Sequence, residues 1–102
     1  MDHLADIQKY APGASAELVT KMEQTYRLVL SKADSAQVSF SDPEELARVR
    51  ENFVQKKLGI TDSDAEVDEV IASIGAKISG RKNRLTVYYL LAEHYGRLDK
   101  LA

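Results

Sequence analysis

Between its glycine and proline breaks, the chain repeats apolar residues at intervals of three and four, the period of a helix; only one short stretch alternates as a strand does. The first segment is brief. Asp2 is placed as an N-cap, Leu4 and Ile7 share a face, and the run from Ala11 to Ala14 ends it. The second begins with Ser15 as N-cap and is predicted to run to about Lys32, with Leu18, Val19, Met22, Tyr26, Val29 and Leu30 as its stripe. Val38 and Phe40 then alternate over a stretch too short to found a sheet, so Phe40 is expected to plug the core from a loop.

The third helix has the clearest start: Asp42 at the N-cap, Pro43 at the first helical position, where its missing N–H costs nothing, and Glu45 two residues on. Leu46, Val49, Phe53 and Leu58 carry its apolar face, and Gly59 suits the left-handed residue that closes a helix. A fourth helix starts between Thr61 and Ser63, with Ser63 and Glu66 spaced as a capping box, and buries Val67, Val70, Ile71, Ile74 and Ile78 before Gly80 breaks it.

The last helix, from about Lys82 to Leu98, is the broadest. At about 100° per residue its apolar sector spans roughly 220°, from Leu90 through Val87, Leu98, Leu91, Tyr95 and Tyr88 to Leu85, about twice what a surface helix needs. Thr86, Glu93, Gly96, Arg97 and Lys100 fill a narrow polar edge. Such a helix is either the centre of the bundle or buries part of its face against a second copy. The fold class is therefore all-α: a compact bundle of four main helices plus a short N-terminal helix, in one domain over residues 1–102.

Composition adds exclusions. With 44% hydrophobic and 29% charged residues and a net charge of -2, the chain has the make-up of an ordinary soluble domain, and its charge does not call for nucleic acid. The absence of cysteine removes disulfides and thiol chemistry. The acidic N-terminus lacks the basic-then-apolar pattern of a signal peptide, and no apolar run approaches a membrane span, so a cytoplasmic protein without membrane contact is expected.

Candidate chemistry is sparse. His94 lies in the broad apolar sector, with Glu93 about 100° away, and is read as a structural or interface histidine rather than a general base. The carboxylates from Asp62 to Glu69 alternate as in a calcium loop, but Val67 replaces the required glycine and Ser73 the closing glutamate. Asp62-Ser63 is faintly similar to the modified serine site of acyl carrier proteins, but Asp64 stands where those carry an apolar residue, so the pair is read as a helix cap. Residues 56–61 resemble a helix-turn-helix turn, yet the helix that follows opens with five acidic side chains, which phosphates would repel. The remaining cluster, Lys77, Arg81, Lys82 and Arg84, is the candidate for nucleic-acid or anionic-ligand binding, set against the ordinary role of cations at helix C-termini. No catalytic constellation, metal site or cofactor motif is predicted, and an enzyme with a pocket that the sequence does not mark stays open as an alternative without support from any motif.

Four segments, residues 2–10 (DHLADIQKY), 41–46 (SDPEEL), 50–59 (RENFVQKKLG) and 84–93 (RLTVYYLLAE), together resemble the small bacterial domain-of-unknown-function family 2853 over nearly the whole chain. The shared features are helix caps and core faces. The resemblance implies a helical bacterial cytoplasmic protein and carries no site residues across. The leading expectation for function is a protein-interaction role as a homodimer, with Val87, Tyr88, Leu90, Leu91, His94 and Leu98 as its interface.

Overall fold

The computed structural model describes residues 2–102, and each expected cap forms. Asp2 accepts from Ala5 N at the start of α1 (His3–Gln8), and Ser15 from Leu18 N at the start of α2 (Ala16–Thr25). Asp42 accepts from Glu44 N ahead of α4 (Pro43–Arg48), and the Ser63–Glu66 capping box opens α5 (Asp64–Lys77). Among the described residues there is no strand, only an isolated antiparallel bridge between Gln37 and Asn83. The fold is all-helical.

Three departures from the expected elements matter. The second helix breaks at Tyr26 and resumes as a single turn, α3 (Arg27–Leu30). Thr25 contributes to the break, since its hydroxyl donates to Lys21 O at 2.9 Å, a back-bond of the kind that bends helices. The third helix widens after α4 into a π-helix, Val49–Lys57, in which Leu58 N bonds to Phe53 O at 2.9 Å. Its buried residues fall in two pairs five apart, Val49 with Val54 and Phe53 with Leu58, the spacing a π-turn aligns. The last helix, α6 (Arg84–His94), stops four residues before its expected end. Gly96 takes φ 66, Arg97 N bonds back to Ala92 O at 2.8 Å and Gly96 N to Glu93 O at 3.1 Å, a Schellman closure that favours glycine at this position. A 3-10 turn, Leu98–Leu101, follows.

α6 is the axis of the bundle, packed by α1, α5 and the π-helix. All nine residues from Arg84 to Ala92 are buried. The chain itself covers the breadth of the apolar sector and also takes in Thr86, which was expected at a water-facing edge and is fully buried. Its hydroxyl donates to Asp6 Oδ2, which also accepts from Asn83 Nδ2 at 3.0 Å. Burial of each large side chain on this helix contributes about 1.5–3 kcal/mol, opposed by ordering entropy. Asp6 supplies the polar satisfaction that lets α1 close the remaining side.

Phe40 plugs the structure as expected, and its seat is Gly75 on α5. A β-carbon at position 75 would lie 2.4 Å from the Phe40 ring. Gly75→Ala is expected to destabilise the fold by about 1–2 kcal/mol despite the better helix propensity of alanine. In a Phe40→Ala background the same change should be neutral or stabilising, which urea denaturation of the four proteins would measure.

Candidate functional site

Arg84 was grouped with Lys77, Arg81 and Lys82 as a basic surface cluster, but its side chain turns inward and is 9% exposed. The reason is its set of partners. Nε donates to Ser35 O at 2.6 Å, Nη1 to the Tyr88 hydroxyl at 3.0 Å, and Nη2 to Gln37 O at 3.2 Å and to Glu45 Oε1. Glu45 reaches out with its other oxygen to Arg48 Nη2 at 3.2 Å. Lys82 is also engaged, donating to Ile78 O at the end of α5. Lys77 and Arg81 remain exposed, so the four cations are not presented as one patch.

These contacts shape an open cleft of about 470 Å3. Its floor is Arg84 and Tyr88 on α6. One wall is Val29 of α3 with Asp34, Ser35, Gln37 and Ser39 of the following loop; the other is Glu45 and Arg48 of α4 with Val49 and Asn52 of the π-helix. Beneath the floor Phe53 stacks on Tyr88, centroids 3.9 Å apart at 8°, and Tyr26 meets Tyr88 edge-on at 5.2 Å. The break in the second helix delivers Tyr26 to this contact, and the π-helix delivers Phe53.

Burial alone would lower the Arg84 guanidinium, but its interactions with Tyr88 and Glu45 outweigh that and hold it above its ordinary value. It is a fixed cation. Burial, with the Tyr88 phenol beside it, pushes Tyr26 up to about 12. The polar groups of the cleft are largely committed to the scaffold: Glu45 uses both oxygens on arginines, and Asp42 caps α4. What faces outward to meet another molecule is the solvent side of Arg48, itself paired with Glu45, the exposed Asn52 and the apolar rim at Val29.

That rim continues onto α3. Leu28 is 77% exposed and Val29 36%, whereas most other large apolar side chains lie in the core or pack against it. The sequence held a signal for this, since Leu28, Val29 and Leu30 are consecutive and sweep about 200° of a helix, and Leu28 falls outside the stripe that takes in Val29 and Leu30. Glu45, read only as a helix-start residue, carried no such signal.

Of the residues expected at an interface, Tyr88 borders the cleft as part of its floor and the others lie elsewhere. Val87 and Leu91 are fully buried, and Tyr88 and Leu90 are 9% and 5% exposed, because the chain's own helices enclose α6 on every side. His94 is at the surface, its ring edge-on to Tyr95 at 5.0 Å, and Leu98 is half-buried. His94, Lys77 and Tyr10 border a separate shallow hollow of about 290 Å3. Tyr10 is tied down there, its hydroxyl accepting from Ser79 N at 3.2 Å. The acidic start of α5 does not converge on a point: Asp68 takes Arg50 at 2.9 Å and Asp64 takes Gln55 at 2.8 Å. Among the described residues no group of three or more potential ligands could hold a metal, and no helix is long and apolar enough to cross a membrane.

Removing one partner of the buried pair should be costly. Glu45→Ala leaves the Arg84 charge without its carboxylate and is expected to lose about 3 kcal/mol in urea denaturation, while the double change Glu45→Leu, Arg84→Met should lose less than the two single changes summed. Tyr26 predicts an alkaline limit. Its raised value means the folded state holds the phenol neutral, so its contribution is complete below the unfolded value of 10.0 and is lost as pH climbs toward about 12. Because the ring is only half-buried, solvent screening leaves on the order of 1 kcal/mol. Tyr26→Phe should flatten the fall in Tm over that window relative to wild type.

Comparison with curated proteins finds no match. A family model described as a protein of unknown function, DUF2853, matches residues 2–99, a span that runs from the cap of α1 into the final 3-10 turn and includes every residue of the cleft. The chain therefore belongs to the DUF2853 family.

Proposed function

We propose that the protein is a protein-interaction module whose docking face is α3 together with the adjoining cleft. The observation that carries this reading is Leu28, 77% exposed on a one-turn helix whose next residue, the part-exposed Val29, forms part of the cleft wall, in a chain that encloses most of its other large apolar residues. Leu28 with Val29 is apolar surface that a partner would desolvate on docking, and the concave cleft beside Val29 offers a place for the partner's own side chain. The cleft's ionised groups support recognition more than reaction. Glu45 and Arg84 neutralise one another inside the wall, and Arg48, paired with Glu45 but with its side chain 57% exposed, presents a cation at the rim for orientation.

A photo-crosslinking residue in place of Leu28, in the full chain in its native cells, should yield a discrete protein adduct on irradiation. The same residue at the exposed Ser73 on α5 should not, and Asn52→Trp, which fills the cleft, should suppress the adduct at position 28. Equal yields from positions 28 and 73 would remove the reading.

A further inference from the structure

We infer that the cleft over Arg84 is a small-molecule site for an uncharged carbonyl compound, a ketone or amide on a compact apolar body, whose oxygen accepts from the Tyr88 hydroxyl and from Arg84 Nη1. Two donors at the floor are left over. A guanidinium has five N–H groups. In Arg84, Nε, one N–H of Nη1 and both of Nη2 are taken by Ser35 O, the Tyr88 hydroxyl, Gln37 O and Glu45 Oε1. Among the described residues no acceptor takes the second N–H of Nη1. The Tyr88 hydroxyl is in the same position: it accepts from Nη1 at 3.0 Å, and no described residue accepts its own proton. Both side chains are 9% exposed and both line the cleft, so the two donor atoms lie 3.0 Å apart at its base. A donor buried without an acceptor costs free energy, and one carbonyl oxygen, with two lone pairs, can satisfy both.

Charge selects a neutral ligand. The floor presents donors only, which give a cationic group nothing to bond. An anion finds no surplus of positive charge: Glu45 already holds both Arg84 and Arg48, and Asp34 and Asp42 stand on the walls as well. Val29 and Val49 supply apolar wall for the body of the ligand, and the volume of about 470 Å3 falls in the roughly 300–1,000 Å3 range of small-molecule sites. The hydroxyl is also placed in advance, because Phe53 stacks on the Tyr88 ring and Tyr26 meets it edge-on, so little order is lost when a ligand arrives. This goes beyond the docking reading and does not rest on it, since Leu28 takes no part.

The test is NMR titration of the isotopically labelled full chain with four compounds built on one ring: acetophenone, toluene, benzoate and benzamidine. Acetophenone should shift the backbone amides of Gln37, Val49, Asn52 and Tyr88 with a dissociation constant of about 1–10 mM, ordinary for so small a ligand. Toluene, which lacks the acceptor, and the two ions should each bind at least about fivefold more weakly. The carbonyl carbon of labelled acetophenone should move downfield on binding, as a hydrogen-bonded carbonyl does. Tyr88→Phe should weaken acetophenone at least about threefold and reduce that movement, and Asn52→Trp, which fills the cleft, should abolish binding of all four. Toluene or benzoate binding as tightly as acetophenone overturns the inference, as does a carbonyl carbon that does not move, an absence of shifts at the cleft amides, or a Tyr88→Phe protein that binds acetophenone as wild type does. Should Tyr88→Phe fail to fold, the four wild-type titrations and the carbonyl signal decide alone. Crosslinking from position 28 without acetophenone binding leaves the docking face standing and the carbonyl site wrong; binding without crosslinking gives the reverse.

Discussion

The buried guanidinium of Arg84 is the constraint on which the rest of the site hangs. It gathers Ser35 O, Gln37 O, the Tyr88 hydroxyl and Glu45, which come from a loop, the central helix and α4. A planar fork with five donors can meet four acceptors in fixed directions; a lysine, with three donors on one atom, cannot. Burying this charge is expensive, and its pairing with Glu45 does little more than offset the desolvation. What the arrangement supplies is position. The loop between α3 and α4 contributes little to the core beyond Val38 and Phe40, so bonds from Arg84 to its carbonyls, with Val38 N on Lys82 O and Arg84 N on Ala36 O, hold it in place.

Enclosure of α6 has a consequence for the surface. Because α1, α5 and the π-helix take up its full circumference, the chain has no apolar face of that helix left over to explain association. The surplus appears instead at α3. A straight second helix would have carried Tyr26 and its neighbours along one stripe; the break turns Tyr26 onto Tyr88 and leaves Leu28 pointing into solvent. One tyrosine against the floor residue Tyr88 and one leucine exposed beside the wall residue Val29 therefore flank the same bend.

How far the sequence was legible follows from the range of the interactions. Caps at Asp2, Ser15, Asp42 and Ser63 are set by atoms two or three residues away, and all were read correctly. So was the central position of the last helix, which follows from the width of its apolar sector. Arg84 was misplaced because its decisive partners, Ser35, Gln37 and Glu45, lie 49, 47 and 39 residues away, and adjacency to Lys82 and Arg81 suggested a surface patch. Asp6, 77 and 80 residues from Asn83 and Thr86, was invisible for the same reason. Two misses were local and readable. Gly96 was counted as a polar-edge residue when its place two residues past His94 marks a helix end, and the five-residue step from Phe53 to Leu58 already exceeded an α-helical turn.

That five-residue step also accounts for the shape of the cleft. A π-turn aligns residues five apart, so Val49 stands under Val54 and Phe53 under Leu58, all four buried, while Val49, with Asn52 beside Phe53, also lines the recess. The π-helix has poorer hydrogen-bond geometry than the α-helix it replaces, and this segment offsets that cost with the Phe53–Tyr88 stack and the two bonds from Arg50 to Asp68. Tyr88 is thereby held from below by Phe53, from the side by Tyr26 and at its hydroxyl by Arg84. A floor fixed from three directions does not have to reorganise when something settles on it, and a preformed recess loses less entropy on docking than a mobile one.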